Sequence, residues 1–89
     1  MQIEFDPVKD RINLEKHGIA LAAAADIDLD SAIIIEDRRF DYGETRFLAY
    51  APIKGRLHVL WFTMRDDVVR AIGLRRANRR ERKNYGQAG

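Results

Sequence analysis

From Thr45 to Arg75 the chain runs almost wholly in strand-forming residues, broken only at Lys54-Gly55 and at Arg65-Asp66-Asp67. Connections this short leave little choice of pairing. Parallel neighbours need a crossover of about a dozen residues or more, so Thr45 to Ile53, Arg56 to Met64 and Val68 to Leu74 or Arg75 must form an antiparallel meander. Ala32-Ile33-Ile34-Ile35-Glu36 is β-branched and bounded by polar residues, which predicts a further strand before the charged loop Asp37 to Glu44. Ile3-Glu4-Phe5 alternates as a short first strand.

Helical signals fall outside that block. Asp6-Pro7 reads as an N-cap followed by proline in the first helical position, and Gly18 as the stop, giving a helix from Pro7 to His17. Its apolar stripe, Val8 and Ile12 with Lys16 continuing the row, is thin. Lys16 and His17 fall in the last turn, where the helix dipole favours positive charge. Ala20 to Ala25 predicts a second, short helix, closed by the acidic loop Asp26 to Ser31. That loop starts like a calcium loop but lacks the glycine and glutamate that one needs. Asn78 can cap a basic final helix reaching about Tyr85. The expected fold is α+β: a small antiparallel sheet of four to five strands, order β-α-α-β-β-β-β-α, with flanking helices in one domain spanning 1–89.

Composition narrows the class. With 89 residues there is room for one core. The absence of cysteine excludes disulfides, thiolate metal sites and a cysteine nucleophile. No apolar run reaches the length of a membrane span, and Met1 to Asp6 has neither the basic flank nor the apolar stretch of a signal peptide, so a cytoplasmic protein is expected. Charge is segregated. Residues 1–74 carry 10 basic and 13 acidic side chains, whereas Arg75, Arg76, Arg79, Arg80, Arg82 and Lys83 face Glu81 alone in residues 75–89. A polyanion or an acidic partner suits that end, although a solvated basic tail would carry the same charges.

The chemistry on offer is cationic. Glycines stand singly, so there is no phosphate loop, and His17 and His58 lack the spacing of a zinc pair. What remains is Lys16-His17 after a helix, Arg65 and Arg70 flanking a hairpin turn, and the basic end. That set suits cleavage of an RNA phosphodiester without a metal, because the adjacent 2′-hydroxyl is the nucleophile. The protein need only orient the strand, stabilise phosphoryl charge with arginine and move protons with His17 and Lys16. Each residue also has a plainer role: His17 and Lys16 as dipole partners, Arg65 as part of a turn, His58 on a strand surface, Trp61 and Phe62 in the core. Arg70 interrupts a buried strand and must either pair with a carboxylate or face a cleft.

With these residues in view the chain resembles the BrnT family of small bacterial toxins, ribonucleases with a RelE-like fold. The resemblance runs from Phe5-Asp6-Pro7 through Asn13-Leu14-Glu15-Lys16-His17-Gly18, Ile35-Glu36-Asp37-Arg38-Arg39 and Tyr42-Gly43-Glu44. It ends in Thr63-Met64-Arg65, Arg70-Ala71-Ile72, Arg75-Arg76-Ala77 and Glu81-Arg82 with Tyr85. It implies a metal-independent endoribonuclease toxin that stops translation and is held inactive by a BrnA-type antitoxin, which also binds operator DNA. Matched by motif, Lys16, His17, Arg65, Arg70 and Arg75 are the implied catalytic residues. Arg76, Arg79, Arg80, Arg82 and Lys83 are expected to bind RNA, and Tyr85 matches a tyrosine of the terminal helix. Two departures from the family stand out: Gly73-Leu74 stands for Ser-Ala, and Leu21 for an aromatic. Strand alternation would point Arg70 and Arg75 to opposite faces unless a bulge intervenes, and Arg76 shares the parity of Arg70. The competing reading is a non-catalytic basic module that binds nucleic acid or a partner, with affinity falling steeply in salt and no turnover.

Overall fold

The computed structural model describes residues 2–88, so Met1 and Gly89 of the expected domain lie outside it. Strand β1 (Ile3–Phe5) leads into helix α1 (Pro7–His17). The Asp6 carboxylate accepts from the Val8 amide at 2.8 Å, and Gly18 closes the helix in the left-handed conformation with φ 72°. The expected second helix is a 3₁₀ segment, Leu21–Asp26, followed by a 3₁₀ turn, Leu29–Ser31. Six residues are too few to sustain an α-helix by propensity, and the tighter form lets Leu21 and Ala24 bury fully against the sheet.

Strands β2 (Ile33–Asp37), β3 (Arg46–Ile53), β4 (Arg56–Arg65) and β5 (Val68–Arg76) follow, then helix α2 (Arg79–Ala88). Both tight hairpins are as expected. Lys54-Gly55 and Asp66-Asp67 all take positive φ, the conformation of two-residue turns matched to strand twist. The five strands lie in the order β1-β5-β4-β3-β2. The expectation of an antiparallel sheet needs correction, because β1 pairs parallel with β5 (Ile3↔Val69 to Phe5↔Ala71) and the sheet is mixed. Short turns fix only the strands they join. No such turn ties β1 to a neighbour, so its direction follows from how α1 docks.

The thin stripe on α1 is not its buried side. Val8 and Ile12 are 57% and 54% exposed, and Asn13 is the buried residue instead. β1 ends opposite Ala71, leaving the edge of β5 unpaired beyond it. There the Asn13 amide stands in for a strand: Nδ2 donates to the Leu74 carbonyl at 2.8 Å and Oδ1 accepts from the Leu74 N–H at 3.1 Å. Nδ2 also donates to the Ile19 carbonyl, and Asp10 accepts from the Leu21 amide, so α1 is anchored by polar contacts. The main core lies on one face, where the 3₁₀ segment covers Ala49, Leu60, Phe62, Ala71 and Leu74. His58, expected at the surface, is buried with its Nδ1 2.7 Å from the Arg56 carbonyl.

At the far end of β2, the buried Asp37 carboxylate accepts two bonds from Arg39 and one from the Tyr42 hydroxyl, each at 2.9 Å. The Arg39 guanidinium is the main cause holding Asp37 well below the usual carboxylate range. A depressed carboxylate stabilises the fold above its unfolded pKa of about 3.9 and loses that contribution as pH falls below it. Asp37→Asn is therefore expected to lower the urea midpoint at neutral pH, with the gap to wild type closing on acidification. Urea titrations of both chains between about pH 6 and pH 3 check this; a gap independent of pH would contradict it.

Candidate active site

The second face of the sheet carries the candidate arginines Arg65, Arg70 and Arg75, and one irregularity aligns two of them. Along β4 and β5, Leu60 pairs with Leu74 and Trp61 with Gly73, but Phe62 pairs with Ala71. Ile72 is the extra residue of a bulge, and it reverses the alternation of β5. Arg70, opposite Thr63, and Arg75, opposite Val59, consequently project from the same face. Their partners are four residues apart on β4, which places the two arginines about 13 Å apart along the sheet. Arg76 shared the parity of Arg70 by simple counting; the bulge turns it to the other face, so it does not join them.

Each arginine is already paired. Arg70 donates from Nη1 to Glu4 of β1 at 3.1 Å, its register neighbour, so it meets the carboxylate that a strand arginine requires. Arg75 makes a two-pronged contact with Glu81, Nη1 to Oε1 at 2.8 Å and Nη2 to Oε2 at 2.9 Å, and lies over the Trp61 ring at 5.1 Å. Hydrogen bonding to Glu81 raises Arg75 further above its ordinary value and lowers Glu81. Glu81 has a second task. Its Oε1 accepts from the Asn78 amide while Asn78 Oδ1 accepts from the Glu81 amide, a capping box that starts α2. One carboxylate thus fixes both the helix start and the arginine fork.

Lys16 and His17 end α1 beside the bulge. They border a cavity of about 280 Å³ with Lys9, Ile12, Asn13, Ile72 and Gly73. Partial desolvation, then the charges of Lys16 and Arg75, lower the His17 pKa from its ordinary value. The shift favours the neutral imidazole, the form that accepts a proton.

The remaining predicted residues lie further out. Arg65 ends β4 at the rim of the same face and is exposed. Arg79, Arg80, Arg82 and Lys83 lie exposed on α2, with Arg82 donating to the Ala77 carbonyl at 3.0 Å. The Tyr85 hydroxyl donates to the Ser31 carbonyl at 2.5 Å and ties α2 across the sheet, a structural role. The structure thus sets Arg70 and Arg75 on one face, places Lys16 and His17 at the cavity beside the bulge, and leaves Arg65 and the α2 cations at the periphery. Glu81, Glu4 and Asn13 escaped the sequence reading. Only Glu81 had a signal there, the Asn-x-x-Glu spacing of a capping box. Among the described residues, no cluster of three histidine, cysteine or carboxylate side chains is placed to hold a metal ion, and no helix is long and apolar enough to cross a membrane.

A search of the curated proteins finds no match. Residues 5–81 match the family described as ribonuclease toxin, BrnT, of type II toxin-antitoxin system. That span runs from Phe5, the last residue of β1, through α1 and the whole meander to the Asn78–Glu81 cap, so the chain belongs to the BrnT family of ribonuclease toxins, whose systems pair a toxin with an antitoxin.

Proposed function

We propose that the chain is a metal-independent endoribonuclease with a RelE-like site on the open face of its sheet. The observation that carries this reading is the bulge at Ile72, which brings Arg70 and Arg75 to one face, with Lys16 and His17 bordering the cavity at Ile72 and Gly73. Neutral His17 takes the proton of the ribose 2′-hydroxyl as that oxygen attacks phosphorus. Arg75 and Arg70, with Arg65 at the rim, bind the phosphoryl oxygens as negative charge grows. The bond to the 5′-oxygen breaks, Lys16 supplies the proton to that leaving oxygen, and the products are a 2′,3′-cyclic phosphate and a 5′-hydroxyl. Arg76, Arg79, Arg80, Arg82 and Lys83 hold the flanking RNA by charge. In the cell this activity stops translation in the cytoplasm, and a BrnA-type antitoxin with operator-binding ability restrains it.

Cleavage of free RNA in EDTA is the direct test. Wild type is expected to cut, and Arg70→Ala and His17→Ala to cut about 10²–10⁴-fold more slowly. A substrate deoxy at the cut site should resist all three proteins. Equal cutting by wild type and both variants, or cutting at the deoxy position, would overturn the mechanism. RNA binding without turnover would favour the basic-module reading.

A further inference from the structure

The one tryptophan of the chain occupies the middle of the open face. Register sets Ile35, Leu48, Trp61 and Gly73 side by side across four strands. This apolar strip runs between two rows that carry arginines. One row contains Arg46 opposite Asp37 and Arg70 opposite Thr63; the other contains Tyr50, Val59 and Arg75.

Trp61 is only partly buried, and its neighbour on β5 has no side chain. A Cβ added at Gly73 would lie 3.9 Å from Trp61 Cε3 and 3.8 Å from Asn13 Oδ1, ordinary contact distances, so the bare backbone leaves room for no more than a methyl group between the indole and Asn13. The cavity bordered by Lys16 and His17 runs to the same glycine. On its other flank the indole lies under Arg75, which Glu81 holds in place. Trp61 packs against Leu48, Val59 and Ala77, yet it stays partly exposed on the face that carries the arginines, with the Arg75 guanidinium over its ring. The ligand chemistry that matches is a flat π-system joined to an anion. An unpaired nucleobase with its phosphate has both, whereas a duplex keeps its bases stacked within itself.

We propose that Trp61 is a nucleobase-stacking subsite, taking one unpaired base of the RNA beside the phosphate bound at Arg75, where glycine at 73 keeps the neighbouring strand position free of a side chain. The assignment rests on the ribonuclease reading and adds to it a preference for single-stranded substrate. Because the chain has a single tryptophan, its emission reports this position directly.

The probe is a short 2′-O-methyl RNA oligonucleotide, used as a single strand and as a duplex with its complement, with binding followed in parallel by anisotropy of an end label. The single strand is expected to quench Trp61 emission saturably and the duplex to leave it unchanged. Trp61→Leu should weaken single-strand binding about 5- to 150-fold, and Trp61→Phe, which keeps a ring, much less. Gly73→Val, whose methyls would crowd the indole, should also weaken it. Binding by anisotropy with no change in emission, equal quenching by duplex, or unchanged affinity in Trp61→Leu would overturn the subsite. If wild type still cuts RNA in EDTA, such a result leaves the ribonuclease reading standing. A wild type that neither binds nor cuts RNA would end both.

Discussion

Arg75→Ala is expected to slow RNA cleavage about 10²–10³-fold and to move the acid limb of the pH–rate profile toward higher pH. The rate loss follows from removing a guanidinium whose fork Glu81 pre-orients. The shift follows from His17, whose pKa is lowered in part by the Arg75 charge. A general base acts when deprotonated, so the rate rises with pH through its pKa. The wild-type limb should fall below the ordinary histidine value of about 6.5 and return toward it when the charge is removed. Arg75→Lys keeps the charge and loses the fork, so it should lower the rate while leaving the limb near the wild-type position. These profiles separate two roles. A residue that mattered only for packing would reduce the amplitude of both variants without moving either limb.

Asn13→Ala is expected to cost about 3 kcal/mol of stability, or roughly 12–24 °C in Tm for a domain of this size. Its amide makes three bonds to backbone groups at a site only 7% exposed. Truncation leaves the Leu74 N–H and C=O without partners along the edge of β5, where water enters poorly. Desolvation of such groups costs about 1–3 kcal/mol each before any repacking. Ile12→Ala, the adjacent residue on the same helix, removes a larger apolar side chain from an exposed position and should change stability by no more than about 0.5 kcal/mol. Thermal melts of the two variants check the contrast directly. A larger loss from Ile12 than from Asn13 would mean that α1 docks through its apolar stripe after all.

The same two residues show what could be read in advance. Ile12 lies on the four-residue spacing that marks an apolar face, yet α1 sits against a sheet edge rather than over the sheet, and an edge asks for hydrogen-bonding groups. No periodicity in the sequence distinguishes those two docking modes. Arg70 was legible as a strand arginine needing a carboxylate, but Glu4 lies 66 residues away and becomes its neighbour only through the parallel pairing of β1 with β5. His17 and Lys16 were placed correctly at the end of α1 by Gly18, since a glycine stop is a local signal.

The sequence by itself determined the meander, both tight turns, the capped first helix and the cationic character of the site, because turn chemistry, strand propensity and capping act over a few residues. Tertiary structure decided the direction of β1, the anchoring of α1 through Asn13 and the shared face of Arg70 and Arg75. That last outcome depends on one unpaired residue, Ile72, and a bulge is set by how the twist and packing of β4 and β5 are reconciled around Trp61 and Gly73. Local residue preferences count positions along a strand, and only the folded sheet decides where that count slips by one.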